Sequence, residues 1–395
     1  MINIPSVTLS VGLAPYQKAL VSSLHRSGML QRVFDMKVGL EILEPDGQEI
    51  LKTIENFPRS QFATRVVWGV WRRLPKIILS RPPVRFNVWL YDRLMSKRLT
   101  PSNIFHGCTA ACLASLKVAR EQGAVTLVES ASRHPLHWAQ VEDEEAQRFV
   151  IDSREGSGKL GLMLLQRREK EFRRCDKIIV PSTVARESYV EFGYGDKTEV
   201  VLTGVDVDFF TPTVIEGDQQ TFRACYVGRV ELSKGVGYLL QAWKKLALPK
   251  AELVLAGVVN ENMRPLLRDC ENSGVVTTGY LLAHSLRNQY QKSDLFVFPS
   301  PNEGLAQVLL EAMACGLPVV ATDRSGANDC MNNGKEGVIV PARNVDRLAE
   351  AILWCYEHRQ QAREIGKAAR ARIDSQFTLE HYNQRVISLY RRLAT

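Results

Sequence analysis

The stretch PSPNEGLAQVLLEAMACGLPVVATDRSG, residues 299–326, decides the fold. It follows the apolar run DLFVF, residues 294–298, and Pro299, Pro301 and Gly304 break the strand that this run predicts. Leu305, Val308, Leu309 and Ala312 recur at i, i+3, i+4 and i+7, the spacing of one buried helical face. A helix is therefore predicted over residues 305–315, stopped by Gly316 and barred from continuing by Pro318. A second apolar strand, residues 317–322, comes next. Strand, loop, helix and strand in this order make one parallel crossover unit.

The same loop and helix start form a site for an anion. Free N–H groups point outward there, and the helix dipole adds about half a positive charge. A diphosphate would sit at residues 304–306, with Glu303 in the loop and Glu311 two turns along the helix. At the helical rise per residue the two carboxylates are roughly 12 Å apart. One could accept hydroxyls from a sugar and the other from a ribose, with the diphosphate between them. On spacing alone they read equally well as helix-forming acids with no ligand.

Working outward, the second half of the chain repeats the unit. Strands are predicted at 222–227 and 253–257 and a helix at 235–248, so short apolar strands alternate with helices. The first half has the same rhythm, with strands at 7–11, 103–106, 124–129 and 177–181 and a helix at 110–121. The polar, weakly periodic stretch TPTVIEGDQQ, residues 211–220, reads as a linker. The expected fold is α/β, with two Rossmann-like domains, residues 1–205 and 206–377. A final helical segment at 378–395 is expected to pack back on the first domain, through Tyr382, Val386, Leu389, Tyr390 and Leu393.

Composition narrows the classes. At 395 residues, 45% hydrophobic and 24% charged, the chain can bury two sizeable cores. No run of 18 apolar residues predicts a spanning helix, and the first residues lack the pattern of a secretory signal, so the expected compartment is the cytoplasm. Eight scattered cysteines without a C-x-x-C pair read as buried thiols, not as a zinc site or a disulfide framework. Of the net charge of +8, the excess lies in residues 1–200, which carry 29 Lys+Arg against 22 Asp+Glu. Residues 58–99 hold ten basic residues and one acid, Asp92, interleaved with Trp68, Trp71 and Trp89. Such a segment either docks on an anionic membrane surface, peripheral on the inner face of the cell membrane, or is a solvated basic helix with its tryptophans turned inward. No nucleic-acid motif accompanies it, and no G-x-G-x-x-G follows a predicted strand, which disfavours a dinucleotide oxidoreductase.

Residues 299–326, with SDLFVFPS before them, resemble the E-x7-E signature of retaining glycosyltransferase family 4, which has the GT-B fold. Three further segments agree in order and spacing: TGVDVDFF at 203–210, YVGRVELSKGVGYLLQAW at 226–243 and TTGYLLAHSLRNQYQKSD at 277–294. The resemblance covers residues 176–390. It implies two parallel sheets facing across a cleft, and transfer of a sugar from a nucleoside diphosphate-sugar to a saccharide or lipid-linked acceptor with retention, in polysaccharide or glycolipid biosynthesis. It implies no cofactor and no metal. Arg229 and Lys234, beside Gly228, carry over as the cations that meet charge developing on the leaving diphosphate. Gly279, Tyr280 and Leu281 carry over as backbone contacts to the base. Gly304, Leu305 and Ala306 carry over as donor contacts, Glu303 as the group orienting the sugar, and Glu311 as the ribose acceptor.

In the first domain the resemblance thins. It implies a histidine near the donor sugar, placed at His134 in TLVESASRHPLHW, residues 126–138, with His137 the near alternative. His106 and Glu169 are further candidates for the cleft, each equally readable as structural. The glycine-rich first loop of the family is reduced here to Gly12, so backbone binding over residues 12–14 is expected only loosely. A nucleotide-sugar epimerase of the same fold and a non-catalytic nucleotide-sugar-binding subunit are the competing readings. Intact Glu303, Glu311, Arg229 and Lys234 favour transfer.

Overall fold

A computed structural model describes residues 4–11, 15–35, 54–55, 84–149, 159–213 and 221–394. Residues 12–14, most of the basic segment and part of the linker lie outside them, so the expectations for residues 12–14 and 58–83 have no structural counterpart here.

The first domain holds strands β1 (Val7–Val11), β2 (Leu30–Asp35), β3 (Ile54–Glu55), β4 (Ile104–Cys108), β5 (Val125–Glu129), β6 (Lys177–Val180) and β7 (Thr198–Val200). They form one parallel sheet in the order β3-β2-β1-β4-β5-β6-β7. Helices α1 (Pro15–Arg26), α2 (Val84–Ser96), α3 (Leu113–Glu121), α4 (Pro135–Arg148), α5 (Lys159–Arg174) and α6 (Thr183–Glu191) connect them. The second domain holds β8 (Phe222–Val227), β9 (Ala251–Ala256), β10 (Val275–Gly279), β11 (Leu295–Phe298), β12 (Val319–Thr322) and β13 (Val338–Val340). These are parallel in the order β10-β9-β8-β11-β12-β13. Its helices are α7 (Val236–Leu246), α8 (Arg264–Arg268), α9 (Ala283–Gln291), α10 (Gln307–Ala314), α11 (Ala327–Cys330), α12 (Val345–Glu357) and α13 (Arg359–Gln376). A last helix, α14 (Leu379–Leu393), follows.

In both sheets strand order reverses direction next to the first strand of the domain, at β1/β4 and β8/β11. Ligands of such sheets sit outside the C-terminal strand ends at that point. Every residue of β11 and β12 is buried, as expected where helices cover both faces of a parallel sheet.

Two chain crossings join the domains and touch one another. Val205 N donates to Phe377 O at 2.8 Å, and a Cβ on Gly204 would collide with Thr378 O. After the second crossing α14 packs on the first domain, where Tyr382, Val386, Leu389 and Tyr390 share a core with Val7, Leu9 and Leu20. Across the seam Ser182 Oγ donates to Gly304 O at 2.7 Å, and Thr183 N donates to Asp329 at 2.9 Å. Glu145, itself buried, accepts from Tyr238 OH at 2.7 Å and from Arg343 Nε at 2.6 Å.

Seven of the eight cysteines are buried and all eight are free thiols. No helix among the described residues is long and apolar enough to cross a membrane.

Candidate active site

The loop between β11 and α10 is built by what it cannot avoid touching. Gly304 has no room for a side chain: a Cβ there would lie 2.5 Å from Ala131 O and 2.9 Å from Pro181 Cγ, both in the first domain. The loop is also tied to the end of β12, with Glu303 N donating to Arg324 O at 3.0 Å and Ala306 N to Ser325 O at 3.3 Å. The helix begins at Gln307, two residues later than its apolar spacing predicts, because this tether holds residues 303–306 off the helical path. The distance reckoned from a continuous helix therefore does not apply between Glu303 and Glu311.

Ala306 is the residue capping α10, and it has no side chain with which to do so. Alanine is among the poorest residues for that position, since it leaves the first amides of the helix without a partner. No hydrogen bond among the described residues takes the N–H of Gly304 or Leu305. The anion site expected at residues 304–306 thus keeps two of its three amides, the third being taken by Ser325.

The second part of the site is the loop from β8 to α7. Gly235 adopts φ +73°, and a Cβ there would collide with Pro299 O, so this loop and the β11 loop pack backbone to backbone. The contact brings Lys234 into an ion pair with Glu303, both side chains being largely buried. From the first domain Trp138, on α4, places its ring 4.7 Å from Lys234 Nζ. A cation held between a carboxylate and an aromatic face is fixed in position and still able to face a phosphate. Arg229 lies on the same loop, but its side chain is 63% exposed and paired with Glu231 at 3.0 Å. Gly228 closes the start of the loop, its N–H donating to Ala256 O at 3.0 Å.

Glu311 projects from α10 against Tyr290, whose hydroxyl donates to it at 2.9 Å. Burial pushes its carboxyl up from the ordinary value to about 7, the Tyr290 bond working in the opposite direction. Gly279 ends the edge strand β10, and Tyr280 and Leu281 follow it. Tyr280 is 76% exposed, and open space surrounds the position of a Cβ on Gly279.

His134 does not reach the cleft. It caps α4 and is fully buried, stacked on Phe192 at 4.2 Å with Nε2 2.9 Å from Glu169. Burial lowers its pKa, which keeps the ring neutral. Contact with a donor sugar fails on burial, and Glu169, which also accepts from Tyr194 OH at 2.7 Å, belongs to the same packing unit. His106 is also structural: 1% exposed, it meets Tyr390 OH of α14 at 2.5 Å through Nδ1. His137, by contrast, lines a cavity at the seam. Asp92, the one acid of the basic segment, is buried and bonded to Arg167 and to the N–H groups of Ala114 and Ser115. Among the described residues no cluster of three His, Cys, Asp or Glu side chains is placed to hold a metal.

Trp138 and Arg133 were not singled out by sequence reasoning. Their signal was position: both follow β5 closely, on the rim where ligands of such sheets are met.

Comparisons with known proteins bear on the family match and on the fold. Residues 213–372 match the family described as glycosyl transferases group 1. The chain is 27% identical over 237 residues to the D-inositol 3-phosphate glycosyltransferase of Paenarthrobacter aurescens, covering 53% of this chain and 58% of that one. It thus spans little more than half the length of that curated relative. Among solved structures it is similar to sucrose-phosphate synthase from Thermosynechococcus elongatus, with a TM-score of 0.69 at 21% identity over 98% of this chain and 99% of that one. It is similar too to Anabaena HepE in complex with UDP and glucose, with a TM-score of 0.65 at 15% identity over 98% and 99% of the two chains. The second domain thus matches the group 1 glycosyl transferases, and the whole chain, with its two parallel sheets, has the GT-B fold.

Proposed function

We propose that the chain transfers a sugar from a nucleoside diphosphate-sugar to a saccharide or lipid-linked acceptor, with retention at the anomeric carbon. The observation that carries this reading is the convergence of Lys234, Glu303 and the uncapped start of α10 on one loop cluster against the opposite domain. A fixed cation and unpaired amides aimed at one point stabilise charge that develops on a departing diphosphate. Glu303 then exchanges its bond to Lys234 for hydroxyls of the donor sugar, Glu311 takes the ribose, and the backbone at residues 279–281 meets the base. Arg229, exposed and free to swing from Glu231, adds the second cation. A front-face reaction, in which the leaving phosphate takes the acceptor proton, needs no separate base. The HepE structure holding UDP and glucose supports a nucleotide-linked donor.

A panel of UDP- and GDP-sugars incubated without acceptor tests the reading. Slow release of nucleotide from one of them, abolished in Glu303→Ala, is the expected result; binding without release over the whole panel would return the chain to a non-catalytic subunit. Docking on an anionic membrane through residues 58–99 belongs to the same proposal. Within the described part of that segment Trp89 is 48% exposed, with the Arg93 guanidinium 5.9 Å from its ring. Replacing Arg72 and Arg73 with Glu should release the protein from anionic vesicles, and unchanged binding would remove this role.

A further inference from the structure

The cavity that His137 lines, of about 390 Å³, opens between the domains. Its lining includes Arg133, His137 and Glu144 from the first domain and Asp323, Arg324 and Arg343 from the second. It shares none of Arg229, Lys234, Glu303, Gly304 and Glu311 with the site described above.

Most charges around it are satisfied. Arg343 is bonded to Glu144 and Glu145, each at 2.6 Å. His137 lies 3.3 Å from Glu191, and Asp323 Oδ1 accepts from Ala342 N at 2.9 Å. Arg133 is the exception. It is 4% exposed, its Nε has no hydrogen-bond partner, and no carboxylate among the described residues forms an ion pair with it. Burial, with the like charge of Arg324, lowers its pKa to about 10, against the attraction of the carboxylates of Glu187, Glu191 and Asp323, none of which pairs with it. Arg324 is 46% exposed and has one ion pair among the described residues, a long one to Glu187 at 3.9 Å.

A buried guanidinium that no carboxylate contacts directly is unfavourable, and the planar fork of N–H donors suits a tetrahedral oxyanion. We propose that this cavity is a phosphate-binding site, in which a phosphate dianion, free or as an ester, lies between Arg133 of the first domain and Arg324 of the second. Because the two cations come from different domains, the bound anion bridges the seam and favours the closed arrangement. The site adjoins the donor cleft, with Pro301 of the β11–α10 loop in its lining, but uses none of its charged side chains, and its existence does not depend on the transfer reaction.

Titration calorimetry with inorganic phosphate and with glycerol 3-phosphate tests it, on the whole chain and on three variants. Saturable binding at one site is expected. It should weaken at least tenfold in Arg133→Gln and severalfold in Arg324→Gln, and persist in Lys234→Ala. Arg324 is half exposed, so its variant folds even where Arg133→Gln does not. Tighter binding of the ester than of inorganic phosphate would identify a phosphorylated small molecule as the occupant, and equal binding the free ion. Absence of saturable binding, or binding lost in Lys234→Ala and kept in Arg324→Gln, would overturn the proposal.

Discussion

Replacing Glu311 with glutamine should make the protein more stable at alkaline pH and a poorer binder of nucleotide. The wild-type carboxyl is raised from 4.5 to about 7 by burial. A raised pKa means that the folded chain still holds a proton the unfolded chain has already lost. Stability therefore falls as pH rises from 4.5 through 7, and levels off above that. The shift corresponds to about 3 kcal/mol at full ionisation, an upper figure because the residue is partly accessible to water. In Glu311→Gln the new side chain cannot ionise, yet its amide oxygen still accepts from Tyr290. Denaturant unfolding of both proteins at pH 5 and pH 8 reads the effect. The variant should gain stability relative to wild type between the two, by up to about 3 kcal/mol. Nucleotide affinity should fall by roughly tenfold or more, because a charged acceptor for the ribose hydroxyls is lost. Equal destabilisation at both pH values would show that the carboxylate supports the fold, and undiminished nucleotide affinity would refute its contact with the ribose.

Two further substitutions probe the seam and the hold on α14. Gly304→Ala puts a methyl group 2.5 Å from Ala131 O, so it should wedge the domains apart and suppress donor turnover. Small-angle scattering would report a larger radius of gyration, and an unchanged radius with full turnover would contradict the packing described here. His106 has a pKa lowered from 6.5 to about 4 by burial, so the stability it supports is complete above pH 6.5 and is lost as pH falls toward 4. His106→Asn keeps an acceptor for Tyr390 and removes this dependence; compared with wild type it should gain up to about 3 kcal/mol between pH 7.5 and pH 4. A constant difference across that range would place the titration elsewhere.

What the sequence made legible follows from where apolar residues must sit. Strands β4, β5, β6, β8, β9, β11 and β12 lie away from the sheet edges and read as short apolar runs. Strands β3, β7, β10 and β13 are edges. Edge strand β10, VVTTG, exposes Val276 and both threonines, so no apolar run announces it. β2 lies one place in from an edge and carries polar Gln31 and Arg32. The loop that holds Glu303 was legible from its strand–loop–helix unit, and the loop that holds Lys234 through the family resemblance of residues 226–243. The first-domain rim was not. His134 and His137 follow the same strand three residues apart, and only packing separates the buried cap from the residue that lines a cavity. Trp138 gains its meaning from Lys234, 96 positions away in the chain, and no local pattern encodes that meeting.

The central claim is that the β8–α7 and β11–α10 loops bind the diphosphate of a nucleotide-linked sugar. Titration calorimetry with UDP and with GDP, on the wild-type chain and on Lys234→Ala, tests it most directly. The account predicts one molecule of at least one of the two nucleotides bound per chain, with affinity at least tenfold weaker in the variant. Binding of neither nucleotide, or equal binding by both proteins, would contradict it.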